Sequence, residues 1–206
     1  MSIFQWIAAT FIALTLLSIA AFGESQPPTA EGRALQHEMD AYVQLFTKQV
    51  GITATSMQWD VMILPILEMD SPAVTYGWAL PPPSVGPTQI WIGLFTFHRD
   101  WMLMLEPNQR RAVAGHEVAH MTNECMSFRA PDTTGMHPME TAIAEFNHAL
   151  LVESCADILS AELTSIDDVL STLIFFRNEA YKGNPLLIQR IRVIQRLKER
   201  EAQNVE

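Results

Sequence analysis

The sequence predicts an α+β domain, helical in the majority with a small strand layer, and two observations carry that reading. One proline- and glycine-rich stretch, residues 53–91, contains short runs of β-branched and aromatic residues, whereas the chain on either side shows apolar residues at helical spacing. Hydrophobic residues make up 49% of the 206-residue chain and charged ones 17%, a balance that argues against disorder and suits one packed domain. The chain has no internal repeat and no low-complexity tract.

Residues 1–23 read as a leader. Phe11 to Phe22 is an uncharged apolar run followed by the polar, proline-containing ESQPPTAEG, and Ala21 and Gly23 are small residues of the kind signal peptidase accepts. MSIFQW, ahead of it, carries no Lys or Arg, and the stretch from Ser2 to Gly23 is also long enough to span a bilayer. A cleaved signal peptide and a retained membrane anchor therefore both stand, and each places residues 24–206 outside the cytoplasm. Thr29–Val50 follows as an amphipathic helix, with Leu35, Met39, Tyr42, Val43 and Phe46 on one face and Gly51 as its stop. VMILPIL, AVTYGWAL and TQIWIG then read as two or three short strands. Pro81-Pro82-Pro83 forms a loop, because proline cannot lie within a central strand. From Leu94 the pattern is helical. Pro107 opens a helix through NQRRAVAGHEVAHMT, a loop with Pro131, Gly135 and Pro138 follows, and helices over Met139–Leu163, Ile166–Tyr181 and from Pro185 complete the chain.

The formal net charge is −10, from 13 basic and 23 acidic residues, with no basic run, so nucleic acid is excluded as a partner. Arg190–Arg200 alternates both signs, as a solvated helix face does. Cys125 and Cys155 form one disulfide or remain two buried thiols; neither has the CxxC spacing of a zinc knuckle.

The chemistry concentrates in His116-Glu-Val-Ala-His120. Histidines four apart on a helix are about 40° apart around its axis and both reach one ion. Glu117 beside them suits a general base acting on water whose pKa the metal lowers. LVESCADILSAEL supplies Glu153 and, one turn on, Asp157: the first a third ligand, the second an acceptor for the outward N–H of a ligating histidine. Apolar neighbours on that helix argue that these carboxylates are buried, and a buried carboxylate needs a partner or a metal. His148 falls about 140° around the helix from Glu153 and faces away from the ion. His37 and His98 have no acidic or cysteine partner at ligand spacing, and His137 belongs to an exposed loop.

With these residues the chain resembles the M48 family of gluzincin metallopeptidases. HEVAHMTNEC is similar to that family's active-site helix, although Cys125 stands where a non-ligating histidine is common. ESCAD is similar to its Glu-x-x-Ala-Asp segment, and WALPPPSVGPTQIWIGLF to the stretch leading to its edge strand. GNPLLIQRI is similar to its Thr-His-Pro segment and following arginine. The likeness covers Val74–Arg190. It implies a zincin-like domain, one Zn2+ per chain held by His116, His120 and Glu153, Glu117 as base and Asp157 as support. It also implies Arg190 at the oxyanion, an edge strand near Ile90–Ile92 for an extended substrate, and a protein or peptide as that substrate. Asn184 replaces the family histidine, with Tyr181 and His137 as other candidates near the oxyanion. A zinc-holding binding or chaperone module that no longer cleaves is the competing expectation. Association with a membrane would run through residues 1–23.

Overall fold

The computed structural model describes residues 29–52, 57–64, 71–79 and 91–204. The leader and Pro81–Pro83 lie outside the described residues. Among those described, no helix is long and apolar enough to cross a membrane. The chain divides into two compact units, residues 1–33 and 34–206, and of the first only residues 29–33 are described.

The elements are helix α1 (Ala30–Gln49), strands β1 (Met57–Leu64), β2 (Ala73–Ala79) and β3 (Trp91–His98), then helices α2 (Arg99–Met104), α3 (Pro107–Ala119), α4 (Asn123–Met126), α5 (Pro138–Leu163), α6 (Ile166–Glu179) and α7 (Pro185–Gln203). This is the expected α+β class, with a helical majority and a three-stranded sheet. Proline occupies the first turn of α3, α5 and α7, where its missing N–H removes a donor that would have no partner. His98, Thr122, His137, Ser165 and Asn184 each accept a backbone N–H at a helix start. His137 and Asn184 thus serve as helix caps. The helix α1 buries Leu35, Met39, Val43 and Phe46, and burial of each such side chain contributes about 1.5–3 kcal/mol.

Two expectations are corrected here. The helical pattern does not begin at Leu94: β3 continues to His98, with Phe95, Thr96, Phe97 and His98 all buried. A strand covered on both faces loses the two-residue alternation that would mark it. Nor is the strand at Trp91–Ile92 an edge. The sheet order is β1-β3-β2, so β3 is central, parallel to β1 and antiparallel to β2. The outer edge next to the candidate site belongs to β2, which has no other strand beside it among the described residues.

The helices α3 and α5 pack closely at one point. A Cβ on Gly115 would stand 2.9 Å from Ser160 Oγ, and that hydroxyl, fully buried, donates to Ala112 O at 2.8 Å. Gly115→Ala therefore carries an overpacking cost of about 1–3 kcal/mol against a helix-propensity gain of about 1 kcal/mol. In the wild-type background the expected result is a net loss of about 1 kcal/mol in urea unfolding. In a Ser160→Ala background the same change is neutral or slightly stabilising, because the colliding atom is gone. Equal effects in both backgrounds would show that the helices are not so close.

Candidate metal centre

Helix α3 ends with His116 and His120 one turn apart, and α5 crosses it with Glu153 and Asp157. His116 Nε2 lies 3.0 Å from His120 Nε2 and 3.3 Å from Glu153 Oε2, while His120 Nε2 lies 3.7 Å from Glu153 Oε1. The two imidazoles stand edge to face, 89° apart. Tetrahedral ligands at about 2.0–2.1 Å from one zinc are roughly 3.3 Å from one another. The three side chains are thus spaced as ligands of a single ion, and His116, His120 and Glu153 are the group that could hold one. The fit extends to the donor set, two imidazoles and one carboxylate, which leaves a fourth tetrahedral position open.

Asp157, 2% exposed, accepts from His116 Nδ1 at 2.9 Å and so orients Nε2 toward the cluster. Arg190, from α7, clamps the same carboxylate with Nε to Oδ2 and Nη2 to Oδ1, both 2.7 Å, and reaches Glu153 Oε2 through Nη1 at 2.7 Å. Expected at the oxyanion, it is engaged with both carboxylates and also lines the cavity in front of the cluster. Asn184 Oδ1 caps α7 by accepting from Leu187 N at 3.2 Å, yet Asn184 and Tyr181 both line the cavity in front of the cluster. His148, directed to Phe128 O at 3.4 Å, stays outside the group, as do His37, His98 and His137.

Burial opposes charge on Asp157 and Glu153, but the field of Arg190 and the bond to His116 hold Asp157 well below its usual range. The hydrogen bond and charge of His116, with Arg190, likewise hold Glu153 near 2. Burial also works to neutralise His116, and the carboxylates on both sides of its ring outweigh that, lifting it to about 10. Burial and the neighbouring His116 charge lower His120 to about 4. Glu117, 5% exposed, is raised by burial.

In the metal-free protein His116 therefore donates from both nitrogens, to Asp157 and toward Glu153. An ion at Nε2 must displace that proton. Zinc binding between pH 6 and 8 is expected to release about one proton per chain. Affinity should weaken about tenfold for each unit of acidification, because the competing proton leaves only near pH 10 while His120 and Glu153 are already deprotonated. Calorimetry in buffers of different ionisation enthalpy measures the number; a pH-independent affinity would mean that His116 Nε2 carries no proton in the metal-free protein.

A cavity of about 560 Å³ opens on this cluster. One side is Ser71–Thr75 of the β2 segment; the other is Val169, Thr172, Leu173, Phe176 and Leu187 of α6 and α7. Thr75 escaped the sequence reading. Its Oγ1 donates to Glu117 Oε2 at 2.6 Å and lies 3.1 Å from Glu117 O, which fixes the carboxylate against the edge strand. Nothing in its local sequence announces that contact, which spans 42 residues. Gly115 did carry a signal, since a glycine inside a helical pattern usually marks close packing. The disulfide left open by the sequence is present: Cys125 and Cys155 are bonded, tying α4, just after His120, to α5 two residues after Glu153.

Comparison of the chain with models of protein families, with curated proteins and with solved structures returned no match.

Proposed function

We propose that the chain is a zinc-dependent endopeptidase of the cell envelope, a small zincin-like enzyme akin to the M48 gluzincins, acting on extended or unfolded protein segments. The observation that supports this best is the spacing of His116, His120 and Glu153 together with a buried carboxylate, Glu117, on the residue between the histidines and facing the same cavity. A purely structural zinc site is closed by four protein ligands and has no use for an adjacent base.

Zinc bound there would supply Lewis acidity, lowering the pKa of a water and polarising a carbonyl. The protein's residues do the rest. Asp157 holds the Nδ1 proton of His116 and so keeps Nε2 a ligand. Glu117, placed by Thr75, takes a proton at its carboxylate from the attacking water and passes it to the leaving amine. The outer edge of β2, unpaired among the described residues, offers backbone groups to an extended peptide, which replaces the edge strand expected at Ile90–Ile92.

A second reading has an observation of its own. Arg190, the charged residue expected at the oxyanion, is already paired with two carboxylates. That favours a zinc-holding binding or chaperone module of the same fold. The deciding experiment purifies the full chain, counts bound zinc and incubates the protein with unfolded casein. Cleavage that chelation abolishes and zinc restores supports the peptidase. One zinc per chain without cleavage supports the module, and a chain that takes up no zinc sinks both.

A further inference from the structure

We infer that the outer half of α5 is a docking stripe for long, unfolded, positively charged polypeptide, continuous with the metal centre. The inference rests on the peptidase reading for the use made of the bound chain, but not for the binding itself.

Six of the nine large hydrophobic residues exposed among the described residues lie between Met126 and Leu151, so the exposure is concentrated and not scattered. No residue from Pro138 to Val152 is buried, although nine of the fifteen are apolar even without the proline. Met139, Ile143, Phe146 and Leu150 recur at steps of four, three and four, the spacing of one helix face. The next members of the same series are Glu153 and Asp157. The face that carries the metal ligand therefore continues outward as an apolar stripe for roughly 20 Å at 1.5 Å per residue. Met139 is 68% and Ile143 56% exposed, and Phe146 and Leu150 are half-buried.

The surrounding charge selects the occupant. Between residues 124 and 152, on α5 and the segment leading into it, the charged residues are Glu124, Asp132, Glu140 and Glu145 against the single basic Arg129, all exposed. Such an acidic excess attracts a basic polypeptide, repels an anionic lipid surface, and brings like charges together if a second copy of this chain docks there. An exposed apolar stripe along one helix face suits a partner that is extended and adaptable.

The test uses the full chain carrying Glu117→Gln, so that nothing is cut, with and without Met139→Gln and Ile143→Gln. Fluorescence anisotropy reports binding of two long unstructured polypeptides of equal apolar content, one bearing lysines and one glutamates. The expected result is tighter binding of the lysine polypeptide and about a tenfold loss in the double glutamine variant, with zinc content and Tm unchanged. Equal binding by the two proteins, or no preference between the polypeptides, overturns the inference. So does a dimer seen by sedimentation, or flotation with phospholipid vesicles, that the double variant abolishes. Hydrolysis of a short peptide by the chain with Glu117 intact is read separately: its absence fails the peptidase reading and leaves the anisotropy result to judge the stripe.

Discussion

Glu117→Gln is expected to lower hydrolysis of unfolded casein by about 10²–10⁴-fold, the range a positioned general base contributes, while one zinc per chain remains bound. Zinc retention follows because the ligand atoms belong to His116, His120 and Glu153, and glutamine keeps the shape of the side chain and its bond from Thr75 Oγ1. The activity loss follows because an amide cannot take a proton from water. The buried Glu117 carboxyl is itself raised above the ordinary range. A dication in the cluster favours its ionised form, so base and metal act together. Thr75→Val probes the other half of the arrangement: it removes the hydroxyl that fixes Glu117 and should lower kcat more than it alters zinc content. Loss of zinc from Glu117→Gln would make Glu117 a ligand, and unchanged hydrolysis would leave it no role.

The parts of the site legible in the sequence are those that helical periodicity encodes. His116 and His120 share a face because they are one turn apart, and so do Glu153 and Asp157; each pair needs only its own helix to form. The starts of α3 and α7 were legible for a similar reason, since Pro107 and Pro185 act on their own first turns. What stayed hidden depends on distant pairing. Alternation along a strand does not say which strand is central, so the edge was assigned to the wrong segment. The Thr75–Glu117 and Ser160–Ala112 bonds join elements 42 and 48 residues apart. The cysteine pair was visible as two letters, but only the packing of α4 against α5 brings them together. Arg190 was found by resemblance, yet its engagement with Asp157 and Glu153 follows from α7 packing on α5.

Arg190→Leu should be the most destabilising single change at the site, lowering the stability of the metal-free protein by about 3–5 kcal/mol, the cost of leaving a buried charge without its partner. Asp157 is 2% exposed and loses both of its bonds to the guanidinium, keeping only the one from His116. Glu153 loses its contact with Nη1 as well. Two controls separate this from a simple packing defect. With zinc bound the loss should be smaller, because the dication then compensates Glu153. In the Arg190→Leu, Asp157→Asn double variant part of the loss should return, because the neutral amide needs no counter-charge and its oxygen still accepts from His116 Nδ1. Urea unfolding of the three proteins, with and without zinc, measures each of these differences. A loss that neither zinc nor Asp157→Asn reduces would mean that Arg190 stabilises the fold by contacts of its aliphatic stem, and that the charge pairing around the metal centre contributes little.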